Sequence, residues 1–377
     1  MSKIALVTNI PAPYRVDLFY YMQTQIKEHE FHVIYTSENE DNRSWKIKKE
    51  KMLNTHILHA KVVKIRGAVD GRYVHIPGNI GKVLSEINPD IVIAWEYNPA
   101  ALQSLFWSKV HHKKFIHLTD GTLFSERNIG KVQKLSRKII TGNCDAAIAS
   151  STKAKEKLLA WGVPEDKIFI SLLTVDIQPY VVAHSQKIKA ASEMGGAEPI
   201  VLFVGRITCG KGIDLLFKAL PYVTVPYRLR LVGDGNSDEI QKLDALAKTL
   251  KIDKHIEFCG FMQGETLVKE YKEASVFVLP TREDCYGLVL LEALCALKPI
   301  VVSKYADGAY DMIINNQNGV IVDPYDEKQL GKEIEKILAD ERWQYKSMET
   351  NLELRNRFSF NAVTKGYLKA IKYVAKS

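Results

Sequence analysis

Residues 274–303, ASVFVLPTREDCYGLVLLEALCALKPIVVS, place an apolar helix pattern between two short apolar runs, VFVL and IVVS. Both runs are continuous rather than alternating, which is typical of parallel strands that are covered on both faces. A helix that connects two such strands predicts one repeat of a parallel α/β sheet. This segment therefore indicates a sheet with helices on both sides.

The same alternation of strand and helix patterns continues toward both ends of the chain. Helical spacing of apolar residues is present at 14–29 and 236–250. The sequence predicts an α/β protein with two Rossmann-like, doubly wound domains that face one cleft. Twelve runs predict strands: KIALVTN, FHVIYTS, DIVIAWEY, KFIHLTDG, DAAIASS, KIFISLL, PIVLFVG, YRLRLVG, HIEFCGF, ASVFVLPT, PIVVSKY and GVIVD.

The strand pattern breaks once, in a glycine-containing and polar stretch that follows KIFISLL. We expect an N-terminal domain at 1–180, a linker at 181–198 and a C-terminal domain at 199–355. Residues 356–377 predict a final amphipathic helix that begins after Ser359. Because no strand follows this helix, we expect it to pack back across the two lobes.

Composition excludes several classes of protein. The 377 residues are 46% hydrophobic and 25% charged, as in ordinary globular proteins. No apolar run reaches the roughly 20 residues of a membrane-spanning helix, and the start of the chain lacks a signal-peptide pattern. The five cysteines are scattered, as expected for reduced thiols. We therefore expect a cytoplasmic protein, whose net charge of +8 favours an anionic partner.

Two acids flank the start of the apolar helix. Asp284 precedes it and Glu292 lies within it, where a carboxylate costs several kcal/mol unless it is paired. The first-turn amides of Gly287, Leu288 and Val289 could bind a phosphate. Helical side chains lean toward the N-terminus, so Glu292 could accept from two sugar hydroxyls there. The alternative is that Glu292 pairs with a core lysine or backbone amide and that Asp284 caps the helix.

Two cations lie in the loop GRITCGKG after the strand PIVLFVG. Gly205 lets the chain leave the strand tightly, and Arg206 with Lys211 could clamp a diphosphate. The alternative is a helix-start loop whose charges are solvated. Gly205 to Lys211 also matches the P-loop pattern GxxxxGK. However, Gly212 stands where that loop needs a Ser or Thr hydroxyl for magnesium.

The N-terminal half offers four candidate residues at strand ends, where ligands collect in α/β sheets. Tyr14 and Arg15 follow the first strand and are expected to face the cleft. In HLTDG, His117 lies before the strand end and Asp120 at the exposed position. A catalytic role for His117 or Asp120 competes with a purely structural role, and Arg15 could equally be solvated.

Residues 45–66, WKIKKEKMLNTHILHAKVVKIR, carry seven cations and one acid. Such a stretch can lie on an anionic membrane surface, track nucleic acid, or form a solvated face. The chain has no Asp-x-Asp motif and no His/Cys/Asp cluster with metal-ligand spacing. No metal and no other cofactor is therefore expected.

Taken together, VGRITCGKG, VGDG, PTREDCYGLVLLEA and KPIVVSKYADG resemble the retaining glycosyltransferases of family 4, which have the two-lobed GT-B fold. The resemblance is strongest over residues 199–323 and extends to bacterial enzymes that build surface polysaccharides. It implies that residues 1–180 form the acceptor side and residues 199–355 the nucleotide-sugar side.

The resemblance also implies roles for individual residues. Arg206 and Lys211 would neutralise the donor diphosphate, and Glu292 would hold the ribose diol. Asp284 stands where the family has a glutamate that contacts the donor sugar, which is a departure from the pattern. The first-lobe catalytic histidine of the family has no clean counterpart, so His117 and Asp120 both stay candidates. The remaining implied substrate-binding residues are Gly205, Tyr286, Gly287, Leu288, Val289, Glu283, Tyr14 and Arg15.

The implied function is metal-independent, retaining transfer of a sugar from a nucleotide diphosphate sugar, expected to be a UDP-sugar, to a glycan acceptor. The acceptor is expected to be lipid-linked, as in bacterial O-antigen or capsule synthesis. The enzyme is then expected to bind the inner face of the cytoplasmic membrane as a peripheral protein, through residues 45–66. No nucleic-acid partner is expected. The alternatives are a non-catalytic nucleotide or nucleic-acid binding protein and a P-loop-like nucleoside triphosphatase, which Gly212 disfavours.

Overall fold

The structure, a computed structural model, describes residues 1–39, 45–65, 72–181 and 198–376. The chain forms two compact units, of which the first comprises Met1–Asp176 with Phe358–Ser377 and the second Ile177–Arg357. Except for its two end residues, the predicted linker at 181–198 lies outside the described residues. The final helix groups with the first unit.

The first unit contains a seven-stranded parallel sheet and a separate antiparallel hairpin. Its strands are β1 (Ser2–Thr8), β2 (His29–Tyr35), β3 (Thr55–Ile57), β4 (Lys61–Ile65), β5 (Arg72–Ile76), β6 (Ile91–Trp95), β7 (Lys114–Thr119), β8 (Ala146–Ala149) and β9 (Ile168–Ile170). The sheet order is β3-β2-β1-β6-β7-β8-β9, and β4 pairs with β5 in the hairpin. The central strands are buried on both faces, which explains their unbroken apolar runs.

Five helices connect these strands: α1 (Pro13–Gln25), α2 (Ile80–Ile87), α3 (Pro99–Val110), α4 (Lys131–Asn143) and α5 (Thr152–Ala160). Proline occupies the first turn of α1 and of α3, where its missing N–H costs no hydrogen bond. Asn98 and Ser151 cap α3 and α5 by accepting from backbone amides of the first turn.

The second unit contains a six-stranded parallel sheet with helices between its strands. The sheet order is β12-β11-β10-β13-β14-β15. The strands are β10 (Ile200–Val204), β11 (Arg228–Val232), β12 (Ile256–Gly260), β13 (Val276–Leu279), β14 (Ile300–Ser303) and β15 (Gly319–Val322). The helices are α6 (Ile213–Ala219), α7 (Ser237–Thr249), α8 (Glu265–Glu273), α9 (Leu288–Cys295), α10 (Ala309–Met312), α11 (Glu327–Ala339) and α12 (Arg342–Leu354).

The last helix, α13 (Phe360–Lys376), returns to the first unit and packs on β7, β8 and β9. The helix approaches β9 closely because Gly366 has no side chain: a Cβ there would lie 2.4 Å from the Ile170 carbonyl oxygen. Just before this helix, the Thr174 hydroxyl donates to the Phe358 carbonyl oxygen. The points where the chain leaves the first unit and returns to it are therefore adjacent.

The predicted α/β class with two parallel sheets is confirmed. The helix predicted over 14–29 ends earlier, at Gln25, because the chain becomes extended at Ile26 before β2 begins. Strands β3, β4 and β5 were not predicted from the sequence, and two of them, β3 and β4, fall within the basic stretch 45–66.

Candidate functional site

In the second unit, two loops with charged residues leave the same edge of the sheet. Arg206 and Lys211 follow β10, while Asp284 follows β13, and β10 pairs with β13 in parallel. The Asp284 amide donates to the Tyr305 carbonyl at 3.0 Å, and the Asp307 amide donates to the Asp284 carbonyl at 2.9 Å. The position of Asp284 is therefore fixed by backbone pairing with the chain that follows β14.

Lys211 and Asp284, predicted separately as ligand contacts, contact each other. Lys211 Nζ lies 2.6 Å from Asp284 Oδ2, and their side chains are 19% and 15% exposed. Asp284 Oδ1 also accepts from the Tyr286 amide at 3.1 Å. Burial alone would raise the pKa of Asp284, but Lys211 and the amides of Tyr286 and Gly287 hold it below its ordinary value. Asp284 is therefore a stable anion beside Lys211, the cation that is predicted to bind a phosphate.

Arg282, which the sequence did not single out, holds the two loops together. Its guanidinium forms a bidentate ion pair with Asp214, with both N–O distances 2.8 Å, and donates to the Cys209 carbonyl at 2.6 Å. The Arg282 amide donates to the Gly210 carbonyl at 2.8 Å. Planar, bidentate pairing of this kind fixes geometry as well as charge. Arg282 therefore positions the loop that carries Lys211.

Gly212, which separates this loop from a P-loop, is required by the packing. Its φ is +69°, and a Cβ at this position would lie 2.1 Å from the Pro280 carbonyl oxygen. A serine or threonine could not be placed here without moving the backbone. The local packing thus adds to the sequence argument against a P-loop.

Glu292 is held by two tyrosines rather than by a lysine or backbone amide. The Tyr180 hydroxyl donates to Oε1 at 3.1 Å and the Tyr271 hydroxyl to Oε2 at 2.7 Å. Burial raises the pKa of Glu292 to about 7, and the two hydrogen bonds lower it only in part. The alternative of a core lysine or backbone amide is therefore wrong, because the partners are tyrosines that lie 112 and 21 residues away along the chain. A ribose diol as a ligand of Glu292 stays a prediction.

The other predicted donor-site residues surround these acids. Gly287, with φ +75°, precedes α9, so Leu288 and Val289 occupy the first helical turn as expected. Tyr286 and Gly287 are buried. The remaining predicted donor-site residues are half-buried: Gly205, Arg206, Glu283, Leu288 and Val289.

In the first unit, Arg15 and Asp120 form a buried ion pair, which corrects two expectations. Arg15 Nη2 lies 2.7 Å from Asp120 Oδ2, and the side chains are 4% and 10% exposed. Asp120 was expected at an exposed position, and the alternative considered for Arg15 was a solvated side chain. Instead, Asp120 accepts from Trp95 Nε1 at 2.9 Å and from Ser150 Oγ at 2.6 Å. A buried carboxylate requires such partners, and three donors supply them.

Tyr14 and His117 complete the predicted set. The Arg15 Nε group donates to the Tyr14 hydroxyl at 3.1 Å. His117 is fully buried within β7 and lies against Tyr97, with a centroid distance of 4.4 Å. Burial and the nearby Lys157 cation lower the pKa of His117 well below its ordinary value. A neutral, buried imidazole results, and the catalytic roles of His117 and Asp120 stay predictions.

A second buried network, which the sequence analysis missed, supports the turn that carries Asp120. Glu96 Oε1 accepts from the Thr119 hydroxyl at 3.0 Å, the Asp120 amide at 2.7 Å and the Gly121 amide at 3.0 Å. Fully buried Lys157 donates to the Thr119 hydroxyl at 2.7 Å. Burial raises the pKa of Glu96 and Lys157 opposes that shift. The Asp120 carboxylate is thus set in a rigid turn.

The basic stretch 45–66 forms a short 3-10 turn, Lys49–Lys51, followed by β3 and β4. Lys51 pairs with Asp17, and Lys49 Nζ lies 3.6 Å from Glu38 Oε1. Arg66 lies outside the described residues. Membrane contact through this stretch stays a prediction.

Among the described residues, no three His, Cys, Asp or Glu side chains are grouped as metal ligands. The predicted metal independence is not tested by this observation. Within the same residues, no helix combines the length and apolar character that crossing a bilayer requires.

A family model described as glycosyl transferases group 1 matches residues 184–363, which include both charged loops and α9. The matched residues, just under half of the chain, are thus similar to that family. The glycosyltransferase resemblance stated from the motifs is therefore confirmed.

Similar proteins include MJ1607, an uncharacterized glycosyltransferase from Methanocaldococcus jannaschii. It is 28% identical over 239 residues, 61% of this chain and 60% of that protein. The lipopolysaccharide 1,6-galactosyltransferase of Salmonella typhimurium is 26% identical over 250 residues, 65% of each chain. A D-inositol 3-phosphate glycosyltransferase from Xylanimonas cellulosilytica is 28% identical over 206 residues. The chain spans 60% and 49% of the lengths of MJ1607 and the inositol phosphate enzyme.

Solved glycosyltransferases share the fold over the whole chain. Anabaena HepE in complex with UDP superposes with a TM-score of 0.80 at 15% identity and covers 99% of this chain and 100% of its own. The lipopolysaccharide outer core galactosyltransferase WaaB gives 0.72 at 18% identity, covering 98% and 99%. At such identities the likeness shows the fold alone, which is the GT-B fold expected from the motifs.

Proposed function

We propose that this chain is a retaining glycosyltransferase that moves a sugar from a nucleotide diphosphate sugar to a hydroxyl of a glycan acceptor. The observation that carries the proposal is the Lys211–Asp284 contact of 2.6 Å inside a glycosyl transferases group 1 domain. This contact supports the proposal because Lys211 would bind a phosphate and Asp284, beside it, would accept from a sugar hydroxyl. Glu292 lies on the helix that follows Asp284 in the chain.

In the proposed donor complex, Arg206 and Lys211 bind the diphosphate oxygens. The amides of Leu288 and Val289 add hydrogen bonds from the first turn of α9. Glu292 accepts from the ribose diol, and Asp284, with Glu283 beside it, contacts the donor sugar. Gly205, Tyr286 and Gly287 shape the backbone around these groups.

The chemistry that this arrangement supports is stabilisation of a leaving group. As the bond from the anomeric carbon to the diphosphate breaks, negative charge develops on the diphosphate oxygens. Arg206, Lys211 and the α9 amides are preorganised donors for that charge. The acceptor hydroxyl then forms its bond on the face from which the diphosphate leaves, and its proton passes to an oxygen of the departing diphosphate, so the anomeric configuration is retained. No residue in the scheme calls for a metal ion.

Asp120 and His117 are the proposed first-unit candidates for the reacting side of the site. Asp120 is the stronger of the two, because His117 is fully buried, whereas the Asp120 side chain keeps 10% exposure. Arg15 and Tyr14 would hold Asp120 and the acceptor in place.

UDP is the proposed nucleotide and a lipid-linked bacterial glycan the proposed acceptor. Supporting the nucleotide, structures of HepE contain UDP or UDP-glucose. Supporting the acceptor, one relative is named as a lipopolysaccharide galactosyltransferase. We propose accordingly that the enzyme works at the inner face of the cytoplasmic membrane.

Donor turnover with a panel of nucleotide sugars, with and without a chelator, tests the proposal. We expect UDP release from one UDP-sugar, insensitivity to chelator, and loss of at least about 10²-fold with Arg206→Ala. Arg342→Ala is the matched control, because the Arg342 side chain is 90% exposed. Turnover that the chelator abolishes, or that Arg206→Ala leaves unchanged, would contradict the scheme.

The rival functions give different outcomes in the same assays. A P-loop-like triphosphatase predicts magnesium-dependent phosphate release from nucleoside triphosphates, against which the Gly212 packing argues. A non-catalytic nucleotide or nucleic-acid binding protein predicts ligand-induced thermal stabilisation or a gel shift at physiological salt, without turnover of any donor.

A further inference from the structure

An exposed apolar stripe runs along α4 in the first unit. Val132, Leu135 and Ile139 are 81%, 57% and 40% exposed. With 3.6 residues per turn, they fall within a sector of about 60° of the helix. Isolated exposed apolar residues are common, but three that are aligned on one helix form a continuous strip. The side of α4 that packs on the unit carries Ser136, Arg137, Ile140 and Thr141.

Three lysines border this strip. Lys131, Lys134 and Lys138 are exposed. Their helical positions lie together, on one flank of the apolar sector. The sequence of α4, KVQKLSRKIITGN, contains no acid. We call these lysines with Val132, Leu135 and Ile139 the α4 face.

The turn before α4 also exposes apolar and basic side chains. Leu123 is 50% exposed, and exposed Arg127 stacks on the Phe124 ring, with 3.9 Å from its guanidinium carbon to the ring centroid. Glu126, the acid of this turn, is already engaged by Arg137 at 2.7 Å and Lys157 at 3.1 Å. Glu126 is thus already paired within the unit, and the three lysines of the α4 face lie beside a carboxylate that has its own partners.

We propose that the α4 face binds an anionic lipid surface, with its apolar strip at the boundary between headgroups and acyl chains. A helix that presents aliphatic side chains beside lysines gains both from apolar burial and from attraction to anionic headgroups. The proposal deepens the proposed function, because it supplies the surface by which an enzyme with a lipid-linked acceptor meets its membrane.

Other occupants fit the α4 face less well. A symmetric contact with a second copy would bring the lysines of the two α4 faces close together, and like charges repel. Nucleic-acid surfaces use aromatic or arginine side chains on which bases stack, whereas this strip is aliphatic. The basic stretch 45–66 is also weaker as a membrane surface, because Lys49 and Lys51 pair with Glu38 and Asp17.

Sedimentation of the full chain with phosphatidylglycerol and phosphatidylcholine vesicles tests this proposal. One variant is Lys131→Glu/Lys134→Glu/Lys138→Glu and another is Val132→Ser/Leu135→Ser/Ile139→Ser. The matched control is Lys365→Glu/Lys369→Glu/Lys372→Glu, because these three lysines are exposed on α13 of the same unit. Each cation near an anionic surface contributes about fivefold in affinity. We expect at least about a tenfold loss for both α4 variants and less than about twofold for the control.

Several results would overturn the proposal. One is that the α4 variants bind vesicles as well as the unaltered chain does. A second is that the α13 control loses as much binding as the α4 variants. A third is a dimer or DNA complex that the α4 substitutions abolish while vesicle binding persists. A Lys48→Glu/Lys49→Glu variant that alone loses binding would move the surface to residues 45–66.

Thermal unfolding of each variant checks the fold. Donor turnover is measured separately in detergent, without vesicles. If the unaltered chain turns over no donor and yet binds vesicles through α4, the proposed function fails and the lipid surface stands. If the unaltered chain turns over donor and the α4 variants bind vesicles normally, the proposed function stands and the lipid surface on α4 fails.

Discussion

The Tyr271 hydroxyl donates to Glu292 Oε2 at 2.7 Å, while the Tyr180 hydroxyl donates to Oε1. Each carboxylate oxygen has two acceptor positions, so each retains one for a further donor. Tyr271 is fully buried, so it fixes the carboxylate from the protein side. The two free acceptor positions suit a pair of adjacent hydroxyls, such as a ribose diol.

Glu292→Gln is expected to stabilise the protein at high pH. Burial raises the pKa of Glu292 from 4.5 to about 7, so its contribution to stability is fully present below about 4.5 and is lost as the pH rises through about 7. Removing the charge should increase the free energy of unfolding at pH 8 by about 1–3 kcal/mol. At pH 5 the increase should be much smaller.

Chemical denaturation at both pH values measures this difference. Glu349→Gln is the control, since Glu349 is exposed on α12 of the same unit. An equal effect of Glu292→Gln at pH 5 and pH 8 would show that the charge of Glu292 is not the cause.

The contribution of the ribose hydroxyls to nucleotide binding should depend on pH. Two hydroxyls can both donate to an ionised Glu292, but a protonated carboxyl loses one acceptor position. Two groups that face Glu292, Tyr271 and Cys295, stay neutral across this range, because burial raises the pKa of the Cys295 thiol to about 12 and that of Tyr271 well above its ordinary value. We expect the preference for UDP over 2′,3′-dideoxy-UDP to grow by about tenfold from pH 6 to pH 8.

Calorimetric titration of both nucleotides measures that preference. Tyr271→Phe removes a hydrogen bond that lowers the pKa of Glu292, so the midpoint of the pH dependence should move upward. A preference that is constant across the range, or a midpoint that Tyr271→Phe leaves in place, would count against the assignment of the diol to Glu292.

Arg282→Lys should weaken nucleotide binding although the charge is kept. A lysine cannot reproduce the bidentate pair with Asp214 and the bond to the Cys209 carbonyl together. The loop that carries Lys211 would loosen, and we expect about a tenfold rise in the Kd for UDP, or ~1.4 kcal/mol. Arg342→Lys, in an exposed pair with Asp340, provides the comparison. Unchanged UDP affinity in Arg282→Lys would show that the loop needs no such support.

Breaking the Arg15–Asp120 pair should cost stability as well as activity. Because both side chains are buried, Arg15→Met leaves an uncompensated carboxylate and should lower the free energy of unfolding by about 3–5 kcal/mol. Lys153→Met, in the largely exposed pair with Glu156, should cost less than about 1 kcal/mol. Urea denaturation compares the two. Similar small losses would show that the Arg15 contact is weak in solution.

The sequence predicted which loops carry chemistry but not which side chains meet. The continuous apolar runs before Lys211 and Asp284 predict that both residues follow strands, because a strand pattern can be recognised from neighbouring residues alone. Their contact depends on how close two loops approach, and that is set by Arg282 and Asp214, which are 68 residues apart. A short-range pattern contains no information about such a pair.

The same limit explains the errors at Asp120 and Glu292. A position just after a strand is usually exposed, but Asp120 is covered because Arg15, 105 residues earlier, pairs with it. Glu292 was recognised as a costly buried acid, yet tyrosines were not considered as its partners. The hairpin strands β4 and β5 were missed because lysines in β4 and Arg72 and His75 in β5 interrupt their apolar character, as edge and surface strands permit.

The chain leaves the first unit after Asp176 and returns at Phe358, and Thr174 and Phe358 are joined by a hydrogen bond. In topological terms, the second unit, Ile177–Arg357, is an insertion between two neighbouring points of its host, the first unit. A direct fusion of residue 176 to residue 358 through a few glycine and serine residues should therefore close the gap without strain. Simple truncation at residue 180 would instead strip the host of α13 and expose β7, β8 and β9.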